Sequence, residues 1–376
     1  MLILFNALGI KDSGGIVTLN KSLEDCRENC DNFYIIICNK SEHIKILLNH
    51  YKDVKHFQFK IVRSNRLVYR LYFENFVFRK IVNEQGVELI YNFTGSSQRF
   101  LKVKKLIKIH NLLFYSKTLD SVYLESFQFL LWLRQVFFKR LLFKFMISRE
   151  KYFEVQSLHV RQYINDFMEV SNKNFFIKSD INVSNDAFLK PNLYDFDQRV
   201  NFLYIVGPHF NYVHKNFRDF VDAMTFMLET EVDFEITITI AKSELKNLKE
   251  WDSRLDSRTN FLGYFSDPKK IKNLFRGNTI LISTSIIETL GLHVIEAIQN
   301  GVVSVVPDEE YAHVVYGENV FKYKLFEKEA LPRKLIEITK MKDIERQVVL
   351  AQNYIKKCEA RKLHNLVDIF SEVRHV

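Results

Sequence analysis

Two glutamates, Glu288 and Glu296, flank Gly291 in the segment Ser285-Ile-Ile-Glu-Thr-Leu-Gly-Leu-His-Val-Ile-Glu-Ala-Ile-Gln-Asn-Gly301. The segment lies between two apolar runs, 279–283 and 302–306, that read as buried strands. Gly291 permits a tight turn and the close approach of a ligand, and a helix can begin just after it. The first amides of such a helix point, unpaired, at the carboxyl end of the sheet, where a phosphate is a favourable partner. Two carboxylates beside an anion-friendly helix start are not there to attract the anion. A consistent use is to accept hydrogen bonds from neutral hydroxyls on either side of it, each worth ~1.5 to 3 kcal/mol. Taken alone, the same pair more often means two solvated side chains around a helix start.

Three further groups could serve the same chemistry. Lys215-Asn216 opens an amphipathic stretch, 216–228, behind an apolar run at 202–206 that ends at Gly207. Gly14-Gly15 follows Gly9 after the opening apolar run 1–6, and with only 11 glycines in 376 residues an adjacent pair there is informative. His110-Asn111 follows the run 106–109. Read singly, Lys215 is a solvated helix-start lysine and His110 a satisfied strand-end histidine. There is no Asp-rich metal motif, and the four cysteines (Cys26, Cys30, Cys38, Cys358) lack the spacing of a structural zinc site, so no metal is expected.

These groups need a scaffold that brings strand ends together. Continuous apolar runs at 1–6, 33–38, 87–91 and 106–109, separated by helical stretches, indicate a parallel sheet covered on both faces. The pattern restarts at 201 with runs at 202–206, 234–240, 279–283 and 302–306. The prediction is an α/β protein of two doubly wound Rossmann-type domains. Residues 1–190 form the first domain and 191–355 the second; a C-terminal helix at 356–376 could cross back to the first. The linker is sought in the polar stretch 178–201. No repeat of solenoid length is visible.

Glu288-x7-Glu296 within E-T-L-G-L-H-V-I-E-A, followed by Gly301, resembles the E-x7-E motif of retaining glycosyltransferases of family 4, which have the GT-B fold. The usual pattern is similar to E-G-F-G-L-P-V-L-E-A, so Thr289 stands for a glycine and His293 for a proline. Gly14-Gly15 resembles the family's donor-diphosphate loop, Val213-His214-Lys215-Asn216 its segment ending in Lys-Asn, and Ile109-His110-Asn111 its His-Asp or His-Asn. Asn260-Phe-Leu-Gly263-Tyr264 is similar to the Gly-Tyr turn that precedes the motif. The family's Arg after the glycine equivalent to Gly207 is missing, with Pro208 and His209 in its place; His209 or His214 could partly substitute.

The resemblance implies transfer of a sugar from a nucleotide-diphosphate donor to an acceptor hydroxyl with retention, no cofactor and no metal. By it, Lys215, the amides near Gly14 and Gly15, and those of Leu290, Gly291 and Leu292 hold the donor diphosphate. Glu296 holds the ribose hydroxyls, Glu288 those of the transferred sugar, and His110 contacts the sugar near the reacting face. Fixed donors around a leaving group that gains charge stabilise the transition state. Two other classes share the fold: a GT-B epimerase acting on a nucleotide sugar without an acceptor, and a non-catalytic sugar-binding GT-B subunit. The second would be expected to lose the Glu pair or the lysine, which this chain keeps.

The acceptor side is read from charge. Of the net +9, residues 51–150 carry +12 (19 Lys+Arg against 7 Asp+Glu), leaving −3 for the remainder. Within them, 127–149 mixes Phe, Leu and Trp132 with Arg134, Lys139, Arg140, Lys144 and Arg149. That composition suits a helix on an anionic membrane, although on a helical wheel the charges do not gather into one clean face. A saccharide or lipid-linked saccharide acceptor and a place in surface polysaccharide or lipopolysaccharide assembly follow from family association and composition. Lys102, Lys104, Lys105 and Lys108 form a basic cluster without any nucleic-acid reading motif, so nucleic acid is not expected. No apolar run spans a bilayer and residues 1–5 lack a signal's basic flank, so the expected place is the cytoplasm, at the inner face of the membrane if peripheral.

Overall fold

The computed structural model describes the chain except for residues 11–12, 64–66, 114, 117, 126, 169–172, 208–209, 246–250, 265–267, 361, 363–364 and 376. The chain divides into two compact units: Met1–Asp120, Phe127–Asp180 and Lys362–Val376 form the first, Ser121–Ser126 and Ile181–Arg361 the second. The change of unit at 180/181 falls within the polar stretch 178–201.

In the first unit, β1 (Leu2–Ala7), β2 (Phe33–Asn39), β3 (Phe57–Val62), β4 (Leu89–Asn92), β5 (Lys104–Ile109), β6 (Tyr152–Val155) and β7 (Asn174–Ile177) form one sheet. Its order is β3-β2-β1-β4-β5-β6-β7, parallel throughout. Helices on both faces explain why β1 and β2 are apolar without alternation. Chain order reverses between β1 and β4, and a crevice forms there beyond the strand ends. Helix Leu366–His375 buries Leu366, Ile369, Phe370 and Val373 in this unit's core, with the Phe370 ring 5.9 Å from Phe5 and 5.4 Å from Tyr91.

Two expectations change here. Helix Ser13–Arg27 begins before Ile16, so Gly14 and Gly15 lie in its first turn and not in the loop ahead of it. A Cβ on Gly15 would come within 3.1 Å of Ile10 Cδ1, so the glycine lets that turn close onto Ile10. The basic cluster is also broken up. Lys105 turns inward to Glu150 at 2.9 Å, and Lys108 is wholly buried between Glu154 at 2.7 Å and Asp180 at 3.1 Å. Glu154 also accepts from Tyr91 Oη at 2.6 Å, and Asp180 from Gln156 Nε2 at 2.8 Å, so these charges have partners on several sides.

In the second unit, β8 (Val200–Tyr204), β9 (Phe234–Ile238), β10 (Thr259–Phe261), β11 (Thr279–Ile282), β12 (Val303–Pro307) and β13 (Phe321–Tyr323) form a parallel sheet in the order β10-β9-β8-β11-β12-β13. Helix Phe217–Met227 turns Phe217, Phe220, Val221, Met224 and Met227 into the core on one side, where the Tyr204 and Phe220 rings pack 4.3 Å apart. Helix Leu292–Gln299 buries Val294, Ile295, Ala297 and Ile298 on another. Chain order reverses between β8 and β11.

Candidate active site

Of the predicted residues, the second unit's reversal point brings Lys215 and Glu288 together. Beyond the ends of β8 and β11, Tyr204, Gly207, Lys215, Ser283, Thr284, Ser285 and His293 border a cavity of about 140 Å³. Lys215 ends a short turn, Val213–Lys215, and Asn216 then takes a left-handed conformation (φ 46°) that redirects the chain into helix Phe217–Met227. Two hydrogen bonds fix that turn to the segment after β11, and a third ties that segment to β8. Ile286 N donates to His214 O at 2.8 Å, Thr284 Oγ1 donates to Lys215 O at 2.7 Å, and Tyr204 Oη meets Thr284 Oγ1 at 2.9 Å.

The Lys215 ammonium lies 2.6 Å from Glu288 Oε1 and 3.3 Å from Ser285 Oγ. Glu288 is 16% exposed and Lys215 24%, so solvent screens the pair only partly. Burial alone would raise the Glu288 carboxyl, but the Lys215 ammonium and the hydrogen bonds from Lys215 and Ser285 outweigh it and hold it at about 2.

Gly291 is left-handed (φ 57°) and precedes helix Leu292–Gln299. Its missing side chain is required by the protein itself: a Cβ would overlap Tyr316 Oη, which donates to Leu290 O at 3.0 Å. The glycine therefore admits Tyr316, where the sequence reading gave that space to a ligand. The first amides of this helix have no carbonyl within the helix to bind, and they carry its positive dipole end. His293, in the same turn, shares a hydrogen bond with Ser283 Oγ at 3.1 Å, and burial lowers its pKa to about 4, leaving a neutral imidazole near pH 7.

The structure therefore brings Lys215, Glu288, Ser285 and His293 together. Glu296 lies one turn further along the helix and is half-buried; among the described residues the cavity wall includes neither Glu288 nor Glu296. Sequence reasoning missed the Ser283–His293 pair, because His293 had registered only as a departure from a proline. Pro208 and His209 lie outside the described residues. The His214 ring lies 5.7 Å from that of Tyr212, tilted by 59°.

His110 belongs to the first unit, at the crevice between β1 and β4. A cavity of about 190 Å³ there is bordered by Gly9, Arg70, Thr94, His110, Asn111 and Tyr115, among others. Burial, with the Lys108 charge, lowers His110 to about 4. Gly14 and Gly15 start the helix that follows β1. Among the described residues, no group of three or more His, Cys, Asp or Glu side chains could hold a metal ion.

Residues 195–357 match the family model described as glycosyl transferases group 1. No curated protein matches by sequence. Solved structures match along the whole chain. A glycosyltransferase from Rickettsia africae ESF-5 aligns at TM-score 0.65 and 15% identity, covering 100% of this chain and 97% of that one. TarM from S. aureus, in complex with Fondaparinux, alpha-GlcNAc-glycerol and UDP, aligns at 0.67 and 11%, covering 100% and 99%. The lipopolysaccharide outer core galactosyltransferase WaaB in its apo form aligns at 0.62 and 14%, covering 96% and 100%. The fold is that of GT-B glycosyltransferases, and its second unit carries the group 1 domain. The second unit thus matches a glycosyltransferase domain, and the whole chain shares its fold with glycosyltransferases.

Proposed function

We propose that this enzyme is a retaining glycosyltransferase of family 4 that moves a sugar from a nucleotide-diphosphate donor to an acceptor hydroxyl. The observation that carries the reading is the Lys215–Glu288 pair, fixed at the reversal point of the second sheet beside the start of helix Leu292–Gln299. Lys215 and the amides of Leu290, Gly291 and Leu292 hold the diphosphate. As the glycosidic bond breaks, negative charge grows on the leaving diphosphate, and donors fixed beforehand need no reorganisation to meet it. The reading therefore requires no metal and no cofactor.

Glu296 accepts from the ribose hydroxyls and Glu288 from those of the transferred sugar. A carboxyl held at about 2 is an acceptor at any working pH and cannot serve as an acid. A nucleotide diphosphate leaves well without protonation, so the mechanism needs none from it. The UDP held by the structurally similar TarM agrees with a nucleotide-diphosphate donor.

The acceptor is a saccharide, free or lipid-linked, in surface polysaccharide or lipopolysaccharide assembly, and the first unit meets an anionic membrane. Leu130, Arg134, Phe138, Leu141 and Phe145 recur at helical spacing along 129–147 and are all exposed. The charges that blur the helical wheel are drawn aside: Arg140 pairs with Asp120 at 2.7 Å and Lys144 sits over the Phe167 ring. Tyr69, Tyr72 and Phe76 form a second exposed stripe. No described helix is long and apolar enough to cross a membrane. A thermal-shift screen against UDP-, GDP- and CMP-sugars tests the donor assignment: selective stabilisation by one diphosphate class supports it, and none by any contradicts it.

A further inference from the structure

The cavity between β1 and β4 is built around an arginine that the reading above leaves without a role. Arg70 lies in helix Leu67–Tyr72, is 16% exposed, and donates from Nε to Glu74 Oε1 at 2.8 Å. Its Nη2 donates to Ser96 Oγ at 2.7 Å and also to Thr94 Oγ1. Glu74 is fully buried in the π-helical turn Phe73–Val77, where Asn6 Nδ2 donates to the same Oε1 at 2.8 Å. Three of the five guanidinium N–H groups are thereby committed to the protein. The other two, on Nη1, have no partner among the described residues, and Nη1 lies where Gly9 has no side chain: a Cβ there would stand 2.5 Å from it.

The same cavity supplies an acceptor. His110 lines the same cavity, and its Nδ1 is buried without a partner. A neutral imidazole nitrogen left bare accepts from a hydroxyl, whereas the two diverging N–H groups of a charged guanidinium Nη1 donate to the oxygens of an anionic group. Asn111 and Tyr115 complete the polar part of the wall.

We propose that Arg70 Nη1, above Gly9, and His110 Nδ1 form a subsite in the first unit for an acceptor that bears a phosphate or carboxylate near a hydroxyl. This rests on the transferase reading for the word acceptor, but not for the anion itself.

The test is a calorimetric titration of the full chain with inorganic phosphate and with glycerol 1-phosphate, for wild type, Arg70→Lys, Arg70→Gln and Lys215→Gln. Arg70→Lys keeps a cation beside Glu74 and so preserves folding while removing the Nη1 donors above Gly9. Affinity for both ligands falls about tenfold or more in the two Arg70 variants, whereas Lys215→Gln, which removes an anion contact of the second unit, keeps the binding event that the Arg70 variants lose. A folded Arg70→Lys that binds both as wild type does, or binding abolished only by Lys215→Gln, or no binding by wild type, overturns the proposal. A parallel titration with UDP and GDP separates the two claims. Loss in Lys215→Gln but not in Arg70→Lys upholds the donor site whatever the phosphate result, and retention in Lys215→Gln counts against the donor site alone.

Discussion

Lys215 Nζ and Glu288 Oε1 stand 2.6 Å apart although 73 residues separate them in the chain. The pair is mutual: the carboxylate anchors the ammonium at the cavity, and the ammonium keeps the carboxylate ionised. Replacing Lys215 with Gln removes a preorganised cation, and the sugar-transfer rate at saturating donor should fall about 10²- to 10³-fold, as for loss of one fixed donor to a developing anion. Steady-state assay with the donor chosen by the stability screen checks this; a variant within threefold of wild type would refute the role.

Gly291 and Tyr316 form a second dependent pair. Gly291→Ala adds a methyl where Tyr316 Oη sits and places alanine in a left-handed conformation that costs about 1 to 2 kcal/mol by itself. Tyr316→Phe removes the overlapping oxygen at the cost of its bond to Leu290 O. Urea unfolding of the single and double variants should show Tyr316→Phe recovering part of the Gly291→Ala loss. Strict additivity of the two losses would deny the contact.

Stability should fall on mild acidification. His293 and His110 are both lowered to about 4 in the folded chain, below the ordinary 6.5, so between those values the unfolded chain binds more protons. Their contribution is complete above about 6.5 and is lost as pH falls toward 4, at up to about 1.4 kcal/mol per pH unit for each histidine. Glu288 acts in the same direction but lower, losing its contribution only as pH falls from 4.5 toward 2. Denaturation midpoints across pH 4 to 7 should flatten in His293→Gln; an unchanged slope would show that His293 titrates normally.

Lys108 should matter far more than its surface neighbours. Lys108→Met leaves Glu154 with uncompensated buried charge and Asp180 with Lys178 alone at 3.4 Å, and the loss should approach the ~3 to 5 kcal/mol of a broken buried pair. Lys104→Ala, at an exposed position in the same strand, should change stability by under about 0.5 kcal/mol. Equal effects in chemical denaturation would place Lys108 at the surface.

Membrane contact has its own variant. Phe138→Asp with Leu141→Asp puts two carboxylates on the exposed stripe of 129–147 without touching a described site residue. Co-sedimentation with vesicles of mixed neutral and anionic phospholipid should drop several-fold while nucleotide binding stays the same. Undiminished sedimentation would remove this face from consideration.

What the sequence made legible follows from how each feature is encoded. Strands β1, β2, β8, β11 and β12 announce themselves because both faces are covered and their residues are continuously apolar. Strand β6 stays hidden: it is four residues long and includes Glu154, whose burial makes sense only once Lys108 is seen beside it. Lys215 and Glu288 could be listed together from family order, but their pairing depends on a turn tied to the segment after β11 through Ile286 and Thr284. Arg70 gave no signal, because its value rests on Glu74 in a π-helical turn and on the absence of a side chain at Gly9. The Gly14-Gly15 pair was visible as a pair, yet its place in a helix rather than a loop depended on where helix Ser13–Arg27 begins.

The central claim is that the second unit holds a diphosphate through Lys215 and the start of helix Leu292–Gln299. Calorimetric titration of wild type and Lys215→Gln with the matching nucleoside diphosphate and monophosphate tests it most directly. The account predicts that the diphosphate dissociation constant rises about tenfold or more in the variant, and that the monophosphate constant changes much less, since a charged hydrogen bond is worth about 1.5 to 3 kcal/mol. Equal diphosphate affinity in the two proteins would contradict it.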